Sequence, residues 1–160
     1  MRYFFDTEFI EGKARVDLVS IGVVSEDGRE LYAISTEFDR SAAGAWVTEN
    51  VLSKLEAVDS GLWLSRDAIC RELVSFVGSD VPEFWAYYGA YDWVAVAQLF
   101  GTWGDMPTEW PYFRDLKQWA VFLGDPVLPP QEGEPHHALN DARHNRVLYE
   151  FLAAYEGRNR

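Results

Sequence analysis

One cysteine, Cys70, stands in a chain of 160 residues. That excludes a framework of internal disulfides, and a lone thiol suits a reducing compartment. No apolar run approaches the ~18 residues of a membrane span. The one apolar stretch near Met1 is broken by Asp6 and Glu8, so neither a signal peptide nor a membrane anchor is expected. The cytoplasm is the expected location.

Basic residues are scarce as well. Fourteen Lys and Arg face 26 Asp and Glu, for a net charge of −12. A broad surface that tracks phosphates with clustered bases is therefore not expected. A small, local contact remains open, such as a nucleic-acid strand end held in an acidic pocket through metal ions. What the chain has in quantity is apolar surface: 48% of residues are hydrophobic and seven are Trp. That is the composition of a folded globular protein, and the length fits one domain, residues 1–160, better than two.

Three strand-like stretches come first, at residues 2–8, 16–25 and 30–38. The turn "EDGR", with Gly28, joins the last two as a hairpin, and "IEGKAR" joins the first two. Helical periodicity follows at 46–57 and 65–77. A short apolar run at 83–88 reads as a buried strand and leads through Gly89 into a helix at 92–101. A further helix is expected at 113–123, a Pro- and Gly-rich loop at 124–135, and a last helix at 138–156. A three-strand meander followed by α/β units predicts an α/β fold, a mixed sheet with helices on both faces.

Within this pattern, acids occupy places where apolar residues belong. Asp6 and Glu8, in "RYFFDTEF", are two apart on a strand and so point to one side, where like charges repel and lose hydration. Asp92 heads the helical face that continues through Val96 and Leu99. Asp141 stands in the first turn of the last helix, in line with Asn145, Leu148 and Leu152. Helix capping, worth ~0.5–2 kcal/mol, accounts for Asp92 and Asp141 singly but leaves Asp6 and Glu8 without a reason. A divalent cation accounts for all four, because Mg²⁺ takes oxygen ligands and turns mutual repulsion into shared attraction. Two such ions ~3.5–4 Å apart clamp a phosphodiester for hydrolysis. His136, five residues before Asp141 at the end of the loop, supplies an imidazole suited to accept a proton from water.

"FFDTEF", "AYD" and "HHALNDAR" together resemble the three exonuclease motifs of the DEDDh 3′→5′ exonucleases, the RNase T and oligoribonuclease superfamily. Asp6 and Glu8 match the first motif, Asp92 the second, and His136 with Asp141 the third, written H-x4-D. That spacing selects His136 over its neighbour His137. Further stretches, "MRYFFDTEFIEG" and "GAYDWVAVAQL" among them, resemble the polyadenylate-specific mycobacterial exoribonucleases of this family, and the likeness runs to about Glu150. The resemblance implies a ribonuclease H-like fold and two bound Mg²⁺ or Mn²⁺ held by Asp6, Glu8, Asp92 and Asp141. It also implies a homodimer that releases AMP from single-stranded RNA 3′ ends, with a preference for poly(A). Phe9, directly after the carboxylate pair, and Trp46, at the start of the first helix, are candidates to stack on the terminal base.

Three other readings are open on sequence alone. The same five residues serve DNA-directed exonucleases, since nothing visible reads the 2′-hydroxyl. A catalytically silent binding module of the same fold would have no use for the repelling pair. A zinc hydrolase built on His136, His137 and His144 would leave three of the acids without a purpose.

Overall fold

The computed structural model describes residues 1–110 and 112–159. Strand β1 (Arg2–Glu11) pairs antiparallel with β2 (Val16–Ser25), and β2 pairs antiparallel with β3 (Glu30–Ser35). All ten positions of β2 are buried, so both of its faces are covered. Gly28, at φ +91°, makes the β2–β3 turn, and Ser25 N–H donates to Arg29 O across it at 3.0 Å. A two-residue strand β4 (Trp63–Leu64) adds parallel to β3 at one edge. On the other side, β5 (Glu83–Ala86) and β6 (Phe113–Asp115) add parallel to β1. The order β4-β3-β2-β1-β5-β6 is the expected mixed sheet with β1 and β2 at its centre.

Helices cover both faces, as the alternation of β1 requires. Tyr3 and Phe5 pack with Ile21, Val23 and Phe84 beneath α2 (Arg66–Val77) and α3 (Ala90–Phe100), which contribute Leu73, Trp93 and Val96. Phe4 and Trp85 face the other way, against Leu116, Ala120, Leu148 and Leu152 of α4 (Leu116–Phe122) and α5 (Ala138–Asn159). Asp6 and Glu8 share the parity of Phe4 and so lie on the α5 side.

The periodicity misplaced some boundaries. Expected as a helix over 46–57, the segment forms α1 (Ala45–Asn50) and then a 3₁₀ turn at Leu52–Lys54. The Asn50 amide donates to Trp46 O at 2.9 Å, a side-chain bond that competes with helical continuation. The stretch 113–123 divides into β6 and α4 at Asp115, whose carboxylate caps α4 by accepting from Gln118 N–H at 2.9 Å. Its other oxygen accepts from Gly89 N–H at 3.0 Å, which ties the β6–α4 junction to the start of α3.

One glycine fixes how closely the last helix approaches the sheet. Gly22 lies opposite Asp6 in the β1–β2 ladder. A Cβ there would come within 2.4 Å of the Ala138 carbonyl and of Leu139 Cα, so the first turn of α5 rests directly on the β2 backbone. Because the obstruction is backbone, it does not yield by a rotamer change. Gly22→Ala is expected to push α5 away and cost about 1–3 kcal/mol or more, read as a lower urea midpoint at unchanged m-value.

Candidate active site

The site begins where strand pairing stops. β5 pairs with β1 only from Arg2 to Phe4, and past Phe4 the outer edge of β1 meets no strand partner among the described residues. Its polar backbone groups must then bond elsewhere. Asn145 of α5 donates its side-chain amide to Phe5 O at 2.8 Å. Asp92, buried in the first turn of α3, accepts from Thr7 N–H at 2.8 Å and from the Thr7 hydroxyl at 2.7 Å, both on Oδ1. Thus α3 and α5 are each pinned to β1 by a side chain that replaces a missing ladder bond. Asp92 and Asp141 are carried in with them.

The four acids then share one low-dielectric space. Burial, together with the charges of Asp92, Glu8 and Asp141, pushes the Asp6 carboxyl well above the ordinary carboxylate range. Burial and the charges of Asp141 and Asp92 push Glu8 up to about 8, with Lys54 opposing them. Asp92 is also raised by burial, although the two Thr7 bonds favour its ionised form. Lys54 itself is engaged elsewhere, donating to Pro135 O at 2.8 Å and pairing with Glu134 at 3.3 Å. The cluster therefore has too little positive charge of its own.

At the mouth, ligand atoms of Glu8, His136 and Asp141 all lie within 4.8 Å of one another. Asp6 and Asp92 lie near enough to this trio for their charges to act on it. Asp141 Oδ2 accepts from the backbone N–H of His136 at 3.0 Å, and its Oδ1 accepts from the Gln131 amide. His136 adopts φ +61°, a left-handed conformation that His tolerates better than most residues, and its ring meets Trp46 edge-on at 4.8 Å. Trp46 is 56% exposed, so it stands at the rim. Phe9 is half-buried and lies parallel to the Tyr91 ring, 5.9 Å away with 17° between planes.

The neighbouring His137 is built into the scaffold. Its ring stacks on Tyr32 at 4.6 Å, and its Nε2 lies 3.0 Å from Glu56 Oε1, which is the second oxygen of a carboxylate that Tyr32 also bonds. Neither His137 nor His144 joins the metal-ligand cluster among the described residues. Sequence reading missed Thr7, Gln131 and Tyr91. A hydroxyl between two strand acids was a usable signal for Thr7, whereas nothing local marked Gln131.

Residues 1–153 match the family model described as the 3′-5′ exoribonuclease Rv2179c-like domain. The 3′-5′ exoribonucleases Rv2179c and MT2234.1, from two strains of Mycobacterium tuberculosis, are each 46% identical to this chain over 164 residues. The matches cover 100% of this chain and 98% of either relative. Among solved structures, E. coli exonuclease I in complex with a dA16 oligonucleotide superposes with a TM-score of 0.69 at 10% identity, over 98% of this chain and 41% of that one. The zinc-bound complex of exonuclease I with single-stranded DNA gives 0.67 at 10% identity, over 99% and 41%. The chain thus spans about two fifths of exonuclease I, with which it shares the ribonuclease H-like nuclease fold. By the family model and by full-length identity, the chain belongs to the Rv2179c-like 3′-5′ exoribonuclease family of nuclease hydrolases.

Proposed function

We propose that the protein is a divalent-metal-dependent 3′→5′ exoribonuclease. In this reading it releases 5′-mononucleotides from single-stranded RNA 3′ ends and prefers poly(A). The observation that carries the proposal is the gathering of Asp6, Glu8, Asp92 and Asp141, from three separate chain segments, into one partly buried cluster short of countercharge beside His136. An all-carboxylate donor set suits Mg²⁺ or Mn²⁺, and raised carboxyl groups are those a cation would relieve. The residues therefore fit the two ions that the motifs imply, with Asp6, Glu8, Asp92 and Asp141 as their holders. When bound, the ions supply electrostatic stabilisation of the charge that builds on the scissile phosphate and its leaving oxygen.

The chain's own groups do the rest. Thr7 holds Asp92 by one oxygen, Oδ1, through both its backbone N–H and its hydroxyl. Asp141 holds the backbone of His136, which sets the imidazole at the mouth where water enters. A ring nitrogen of His136 takes the proton of the water whose oxygen attacks the terminal phosphorus. The bond from phosphorus to the preceding 3′-oxygen breaks, that oxygen takes up a proton, and a 5′-monophosphate leaves. The adenosine preference is supported by the motif resemblance to the polyadenylate-specific mycobacterial enzymes. It is also supported by the aromatic faces of Phe9 and Trp46 beside the acids, which suit the larger surface of a purine.

Two experiments test the reading. Labelled A, C, U and G homopolymers and a matched DNA strand are digested with Mg²⁺, beside an Asp6→Asn variant. The wild type is expected to shorten RNA from its 3′ end, fastest on oligoadenylate, and Asp6→Asn to be inert; faster loss of DNA overturns the RNA assignment. In the same assay, His136→Ala is expected to lower kcat by roughly 10²–10⁴, whereas His137→Ala keeps most of the turnover and loses stability instead. Equal kcat values for the two variants would sink the assignment of the base.

The raised carboxyl groups also set a sign for pH. Glu8, with its folded value about 8 against an ordinary 4.5, contributes most at low pH, and that contribution is lost as pH rises through about 8. The metal-free protein is therefore expected to melt progressively lower between pH 5 and 8, as the cluster ionises. Mg²⁺ or Mn²⁺ is expected to raise the melting temperature, more at pH 8 than at pH 6, and far less in Asp6→Ala. A metal effect independent of pH would show that these acids are not the ligands.

A further inference from the structure

The connection from β1 to β2 is closed by Gly12 N–H donating to Arg15 O at 3.0 Å, which leaves Lys13 and Ala14 at its tip. Beside it runs a groove of about 300 Å³, walled by Glu11, Lys13 and Arg15 on one side and by Tyr91, Val94 and Gln98 on the other. The last three recur at helical spacing on one face of α3. Tyr91 and Val94 are 50% and 42% exposed, an apolar strip that nothing in the fold covers.

Two chain segments connect this groove to the acid cluster. Phe9 follows Glu8 in sequence and Tyr91 precedes Asp92, and the two rings lie parallel at 5.9 Å. The ring pair is thus the step between the carboxylates and the groove. Beyond it the local charge changes sign. Elsewhere several cations of this acidic chain are held by acids: Arg29 by Asp27, Arg66 by Asp17, Lys117 by Asp125, Arg143 by Glu30. Lys13 has no ion pair among the described residues, and Arg15, though paired with Asp17, leaves 58% of its side chain exposed. Glu11 is the one acid in the wall.

We propose that the groove carries the RNA nucleotides that lie 5′ of the two flanking the scissile bond. Phosphates lie at Lys13 and Arg15, and a base or ribose lies against Tyr91. The proposal rests on the exoribonuclease reading above and deepens it: the strand is gripped over several nucleotides, not at its end alone. Charge complementarity chooses the occupant, since an unpaired cation beside an aromatic face is what a single strand needs, phosphate and stacking surface alternating.

The test compares a dinucleotide, too short to leave the acid site, with an oligoadenylate of about a dozen nucleotides, under varied salt. Lys13→Glu is expected to raise KM for the long strand about tenfold and to leave the dinucleotide KM and both kcat values unchanged. Lys13→Ala should make the dependence of log KM on log salt shallower by about 0.7 for the long strand. Tyr91→Ala should raise the same KM with no change in salt slope. Arg71→Glu, an equal change of charge on the exposed side of α2, controls for net charge. The proposal is overturned if Arg71→Glu matches Lys13→Glu, or if Lys13→Glu affects both substrates alike or neither. A wild type inert toward both strands overturns the exoribonuclease reading first, whereas an active wild type with an unaltered Lys13→Glu variant removes the groove alone.

Discussion

Mutual repulsion among partly buried carboxylates is the constraint around which this fold is arranged. Asp6 and Glu8 sit on a central strand, with Asp92 and Asp141 brought against them by two helices. Each acid loses hydration and faces like charge. Their neighbours on β1 supply the opposing force: Tyr3, Phe4 and Phe5 are 0–2% exposed, and burial of such side chains contributes ~1.5–3 kcal/mol apiece. The strand stays in place because its aromatic half outweighs its acidic half. The acids remain as a strained cluster, relieved by protonation at low pH or by a cation.

The pinning of α3 and α5 to β1 follows from the same edge. Strand pairing on that side ends at Phe4, and the freed backbone groups bond to Asp92 and Asn145. Had β5 continued one turn of pleat further, Thr7 N–H would have bonded to a strand and Asp92 would have lost its anchor. The short β5 is therefore part of the site, although none of its residues faces the acids. Gly22 plays the matching part on the opposite side of β1, where the absence of a side chain lets the first turn of α5 lie on the β2 backbone.

Much of this was legible in the residues. The alternation of "RYFFDTEF" placed Asp6 and Glu8 on one face, and the structure keeps them there because the register slip in this ladder falls after Glu8. Helical spacing put Asp92 and Asn145 on inward faces, and both are buried. What could not be read was any arrangement that depends on distance across the sheet. The Thr7–Asp92 bonds join residues 85 apart and the Asn145–Phe5 bond residues 140 apart. Helix ends were misjudged where short polar side chains compete with the backbone, as Asn50 does in α1 and Asp115 at the head of α4. The choice of His136 over His137 rested on motif spacing alone; the stacked Tyr32 ring and Glu56 tie His137 into the scaffold.

The floor and the rim of the site come from different parts of the chain. The floor is β1, the Gly22 stretch of β2 and the first turns of α3 and α5, locked by backbone contacts and by side chains that bond to backbone. The rim is Trp46, which meets the His136 ring, and the stacked pair Phe9 and Tyr91. Ring contacts tolerate exchange of one aromatic or aliphatic group for another, whereas backbone locks at Gly22 tolerate almost none. The spacing of the carboxylates and the make-up of the rim are consequently free to vary independently. A lineage of such proteins can rebuild the rim ring by ring, while the floor beneath it stays fixed.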